Sequence, residues 1–72
     1  MLSDLLMWNK IGRIVTLLSQ QLNISGERAL DIFYMSRTNE RLHDEGSGLY
    51  LMSDRYIVED IITELRTVTP KQ

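Results

Sequence analysis

The chain has 72 residues, no cysteine and one histidine, which excludes disulfides, thiolate zinc sites and multi-histidine metal sites within a single chain. Its formal net charge is -2 and its pI about 5.2, a balance that offers no electrostatic field for nucleic acid. No apolar run approaches the ~20 residues of a membrane span, and Met1-Leu2-Ser3-Asp4 lacks the basic flank of a signal peptide, so a cytoplasmic location is the expectation.

This length predicts one helical domain, 1–72, of a size that buries only about 60% of the surface its unfolded chain exposes. With no staple available and 43% of residues hydrophobic, part of that apolar surface is expected to be covered by another chain.

Taken in order, Ser3 is placed to cap a first helix over residues 4–22, with Asp4 at the positive end of its dipole. Met7, Trp8, Ile11, Ile14, Val15, Leu18 and Leu22 recur at helical spacing as one stripe, and Asn9, Lys10, Arg13, Thr16, Ser19 and Gln20 take the wet side. Leu5, Leu6 and Leu17 widen the apolar arc beyond what one core needs. Together with Trp8 they form the candidate interface, which predicts a dimer or higher species at micromolar concentration unless a different protein occupies that face. Gly12 interrupts the helix at a cost of roughly 1 kcal/mol relative to alanine, either through drift or to allow a close helix crossing.

Asn23 to Gly26 breaks the pattern, and Ser25 caps a second helix over 26–36 with Ala29, Leu30, Phe33 and Ile32 turned inward and Tyr34 on the margin. Ser36 is placed to cap a short helix or turn at 37–43 whose only strong apolar anchor is Leu42. Gly46-Ser47-Gly48 marks a loop. Leu49-Tyr50-Leu51-Met52 follows as a brief extended piece, a strand or a connector. Ser53 caps the last helix, 54–66, with Ile57, Val58, Ile61, Ile62 and Leu65 inside and Arg55, Glu59, Asp60, Glu64 and Arg66 outside. Pro70 stops any helix, and residues 67–72 are expected to fray. The fold class is therefore all-α, a small three- to four-helix domain with a short extended segment before the last helix.

Chemistry-bearing constellations are few. His43 stands beside Asp44 and Glu45, but sequence neighbours on a helix point apart and no cysteine nucleophile exists, so it reads as a surface histidine. Glu59-Asp60 lies on the solvated side of a helix whose inner side is aliphatic. A calcium loop counted from Asp44 needs a glutamate at its twelfth position, where Arg55 stands. No catalytic, cofactor-binding or metal-ligating residue is assigned, and the reading is not an enzyme. Residues 15–30 have the helix-turn-helix outline, the main alternative function. Arg28 and Arg37 are offset there by Glu27 and Asp31, leaving few cations for phosphate. Nucleic acid is thus not the expected partner.

Residues 25–36 (Ser25-Gly26-Glu27-Arg28-Ala29-Leu30-Asp31-Ile32-Phe33-Tyr34-Met35-Ser36), then Gly48 to Ser53, then Tyr56-Ile57-Val58-Glu59-Asp60-Ile61 resemble a family of short bacterial helical proteins of unknown function. Genes of that family often lie beside genes for ADP-ribosyltransferase-like, toxin-type proteins. The resemblance covers about residues 25–62, mostly at core and cap positions, and implies an accessory or antitoxin-like partner rather than an enzyme; a phage-related accessory role is the other setting expected for so small a module. The functional expectation is a small cytosolic protein-protein interaction module that binds a protein partner or its own copies.

Overall fold

A computed structural model describes residues 4–67, and these form an all-α domain. Its helices are α1 (Asp4–Leu22), α2 (Gly26–Met35), α3 (Arg37–His43) and α4 (Asp54–Thr67), with 3₁₀ turns at Glu45–Ser47 and Leu49–Leu51 between the last two. Thr67, expected to fray, is instead the last residue of α4, while the expected cap at Ser3 and the fraying expected over 68–72, with Pro70 in it, lie outside the described residues.

Local chemistry sets most boundaries. Asn23 adopts a left-handed backbone (φ 55°), and the Asn23 and Ile24 amides bond back to the carbonyls of Gln20 and Ser19, closing α1 with a Schellman motif. Ser25 then caps α2 by accepting from the Arg28 amide at 3.1 Å. Ser53 does the same for α4 through the Tyr56 amide at 3.1 Å. Ser36 ends α2 one residue earlier than expected, because it serves two helices at once. Its hydroxyl donates to the Phe33 carbonyl at 2.7 Å and accepts from the Asn39 amide at 3.1 Å, which starts α3.

Three helices bury their stripes against one another. Ile11, Ile14 and Leu18 of α1, Ala29 and Phe33 of α2, and Ile57, Val58 and Ile61 of α4 form the core, joined by Leu42 of α3 and by Leu49. Met7, Val15, Leu17, Leu22, Ile24, Ile32, Tyr50 and Ile62 pack around it, partly buried. Tyr34 stays exposed and meets Phe33 edge-on, ring centroids 5.6 Å apart.

Several expectations need correction. Of the piece expected to be extended at 49–52, Leu49–Leu51 is a 3₁₀ turn and only Met52, which caps it, has extended backbone; no strand occurs among the described residues. The Leu51 and Met52 amides bond to the carbonyls of Gly48 and Leu49 at 3.0 and 2.9 Å, so the segment satisfies its own backbone where a lone strand could not. Gly48 makes this possible with φ of 70°, turning the chain between the two 3₁₀ turns. Lys10, read as wet, is buried, with its ammonium bonded to the Met52 carbonyl and to Asp54. Leu65, read as inner, is 40% exposed because the core ends near Ile61. Trp8 belongs to the stripe by spacing yet is 58% exposed, at a flank of α1 that no other helix covers.

Glu64 and Asp60 also do more than face solvent. Glu64 accepts from the Arg37 amide at 2.8 Å and the Thr38 amide at 3.3 Å, satisfying the open N–H groups at the start of α3. The Thr38 hydroxyl, fully buried, lies 3.2 Å from carboxylate oxygens of both Asp60 and Glu64, and its single proton serves one at a time.

Replacing Ile61, which is fully buried, by alanine is expected to destabilise the fold by about 2–5 kcal/mol in chemical denaturation. Glu59→Ala, which loses only an exposed 3.5 Å pair with Arg55, is expected to shift stability by no more than about 0.5 kcal/mol.

Candidate functional site

The surface of α1 is where apolar side chains outnumber the partners the fold supplies. Leu5, Leu6 and Trp8 are 69%, 57% and 58% exposed. Leu17, the fourth candidate interface residue, differs from them: it is half-buried and packs against the core. Helical geometry also divides the set. At about 100° per residue, Leu5 and Trp8 lie on one flank of α1, while Leu6, Lys10 and Leu17 fall in a row on the other. The four side chains are therefore not one stripe but two edges of the core face.

The second edge is occupied by polar chemistry. Lys10 Nζ donates to Asp54 Oδ1 at 2.9 Å and Arg13 Nε donates to Asp54 Oδ2 at 2.8 Å, so one carboxylate at the start of α4 is gripped by two turns of α1. Lys10 spends a further hydrogen bond on the Met52 carbonyl, 2.9 Å away, which draws the end of the second 3₁₀ turn onto the same helix. Partial burial of Asp54 acts to raise its carboxyl, but the hydrogen bonds and positive charges of Lys10 and Arg13 outweigh that and hold it below its usual 3.8.

On the first edge lies a cleft of about 680 Å³ between the N-terminal half of α1 and the segment joining α3 to α4. Met7, Trp8 and Ile11 form one wall, and Leu42, Tyr50 and Leu51 the other. Asp4, His43, Glu45 and Gly48 complete the lining. Leu51 is 76% exposed, so the cleft has an apolar lip as well as an apolar floor. Its volume falls within the ~300–1,000 Å³ of ligand-binding pockets. Across Trp8, a shallower hollow of about 600 Å³ runs over the outer side of α1, lined by Gly12, Arg13, Leu17 and Asp54 among others. Trp8 thus stands on a ridge between the two depressions. It shares the hollow with Leu17, whereas Leu5 and Leu6 line neither.

Sequence reasoning identified Trp8 and missed the opposite wall. Tyr50 and Leu51 gave the signal of an apolar run straight after Gly46-Ser47-Gly48, but only the 3₁₀ turn shows that Leu49 points into the core and Leu51 out of it. Gly12 is resolved too. A β-carbon built there meets nothing within 4 Å, so no close helix crossing within this chain requires the glycine.

His43 sits exposed at the end of α3 with Nδ1 2.9 Å from the Asn39 carbonyl, and Asp44 accepts from the Gly46 amide at 3.0 Å as a turn cap. No group of three or more His, Cys, Asp or Glu stands where it could hold a metal ion, among the described residues. On the helix-turn-helix outline, α2 buries Ala29 and Phe33 against α1 and presents Arg28 with Glu27 and Asp31 outside. Among the described residues, four cations are held in ion pairs: Lys10 and Arg13 by Asp54, Arg41 by Asp60, Arg55 by Glu59. None of the described helices is long and apolar enough to cross a membrane.

In comparison with known proteins, no family model, curated protein or solved structure matches this chain.

Because Gly12 is exposed and crowded by nothing, Gly12→Ala is expected to stabilise the folded chain by about 0.5–1 kcal/mol, read from the denaturation midpoint. The lowered Asp54 carboxyl sets a pH dependence. Its stabilising contribution is present above the unfolded-state value and is lost as pH falls below about 4, through the folded-state value. Asp54→Asn is expected to remove that part of the acid-induced loss, which a pH series of urea denaturations reads directly.

Proposed function

We propose that this chain is a small protein-protein interaction module that docks a protein partner on the Trp8 ridge and the cleft beside it. The observation that carries the reading is the pairing of Trp8 and Leu51, 58% and 76% exposed, on opposite walls of one preformed apolar cleft. Exposed tryptophan is costly in water and is a preferred anchor at interfaces, where a few aromatic and aliphatic side chains dominate affinity. The support for binding rather than catalysis is the lining itself, which is mostly aliphatic and aromatic. The carboxylate held at a shifted value, Asp54, is already neutralised by two cations outside the cleft.

The setting belongs to the same proposal: an antitoxin-like accessory protein of the bacterial cytoplasm, as the resemblance implies, or a phage-related one, acting by occupying a partner's surface. A second copy of the chain is the competing occupant of the ridge. Duplex DNA is disfavoured by the net charge of -2 and by the ion pairs that engage Lys10, Arg13, Arg41 and Arg55.

The test compares the wild-type chain with a Trp8→Gln/Leu51→Gln variant whose denaturation midpoint is unchanged. Partner retention from native cells, or self-association in sedimentation velocity, is expected to weaken at least about tenfold in the variant, as loss of interface anchors does. Undiminished retention and association would remove the proposal. So would a salt-sensitive mobility shift on duplex DNA lost with Arg28→Ala and Arg37→Ala, which would establish the helix-turn-helix reading instead.

A further inference from the structure

The cleft beside Trp8 carries a charge pattern as well as an apolar floor. Its carboxylate and imidazole lining consists of Asp4 on α1, Glu45 in the first 3₁₀ turn and His43 at the end of α3, with no lysine or arginine among the described residues that line it. The cations closest in sequence to its walls are drawn elsewhere. Lys10 reaches the Met52 carbonyl and Asp54, and Arg41 reaches Asp60 at 3.1 Å. Asp44, next to Glu45, is engaged with the Gly46 amide, while Glu45 lines the cleft. The C-terminus of α3 adds the negative end of its backbone dipole at His43. The opposite end effect comes from the N-terminus of α1, and Asp4 in its first turn counters it.

Resting on the reading of this cleft as a docking site, we infer that its occupant is a peptide segment of another protein, carrying a large apolar side chain and a lysine or arginine within one helical turn of it. The apolar side chain enters between Trp8 and Leu51 over Ile11 and Leu42, and the cation reaches the carboxylates of Asp4 and Glu45. An apolar anchor alone would leave two carboxylates at the rim facing a surface that removes their water, whereas a basic flank replaces that water with charge-assisted hydrogen bonds. An acidic flank would set like charges against each other. A segment of this kind is the amphipathic, basic-edged helix that many grooves accept through anchors at i, i+3 or i+4.

The test is selection of a displayed random-peptide library against the full chain, followed by fluorescence anisotropy with the enriched peptides. Enriched sequences are expected to share a large apolar residue with a Lys or Arg within one turn. Exchanging that cation for glutamate, or using Glu45→Lys protein, is expected to weaken binding about tenfold, and raising the salt should weaken wild-type binding. Leu51→Gln is expected to weaken every enriched peptide. If the enriched peptides depend on Leu51 but show no preference for a cation, the inference fails while the docking reading stands. If no peptide is enriched, or binding ignores both Leu51→Gln and Glu45→Lys, the cleft is not a peptide site and the inference fails with it. The docking reading then rests on partner retention by the Trp8→Gln/Leu51→Gln variant, which reports on the ridge independently.

Discussion

Burial of Phe33 in the core that α1 shares with α2 and α4 is the interaction on which the other features depend. Phe33, Ile14, Leu18, Ile57 and Ile61 are fully buried, and they come from three helices, of which α2 and α4, at 10 and 14 residues, are marginal in water without tertiary packing. The chain has no cysteine for a disulfide, and no cluster of metal-ligating side chains occurs among the described residues. Such a core holds only what reaches it. Helix α3 and the second 3₁₀ turn supply one buried apolar side chain each, Leu42 and Leu49, too little to fix their orientation by burial alone.

Polar contacts supply what the core leaves undetermined. Ser36 and Glu64 between them satisfy the first amides of α3, so a helix of seven residues gains a defined start and a tie to α4. At the other end of α4, Lys10 and Arg13 converge on Asp54, and Lys10 also takes the Met52 carbonyl. Partly buried ion pairs gain little net stability against a well-packed apolar alternative. Their structural consequence is geometric: they fix where the chain re-enters after the second 3₁₀ turn. That turn then presents Leu51 outward, opposite Trp8.

The cleft is therefore a product of two anchoring schemes. Its α1 wall is placed by core packing of Ile11 and Ile14, and its opposite wall by Leu42, Leu49 and the Lys10 clamp. Neither wall is a loop hanging free, so an occupant meets a largely preformed surface and loses less freedom on binding. The same arrangement explains why the apolar excess of α1 is not a single patch. Its Leu6 side runs along the clamp and its Leu5 side toward the Trp8 ridge.

Local chemistry made much of this legible from residues alone. Helical spacing over 4–22 and 54–66, the caps at Ser25, Ser36 and Ser53, and the buried Ile57, Val58 and Ile61 all follow from side chains acting on their own turn or face. The antitoxin-like setting came from resemblance alone, and no match to known proteins bears on it. The interiors of long-range contacts were not legible. Lys10 looks solvent-facing until Met52 and Asp54, more than 40 positions away, are brought to it, and Glu64 looks solvent-facing until α3 arrives. Four consecutive apolar residues at 49–52 carry no period that separates strand from turn. Gly48 permits the turn, but only packing of Leu49 into the core decides which neighbours face water. Periodicity and capping are properties of a single segment, so the sequence determined the helices and most of their inner faces, with Lys10, Trp8 and Leu65 the exceptions. Partners for buried polar groups, and the cleft between Trp8 and Leu51, exist only between segments, so tertiary structure alone decided them.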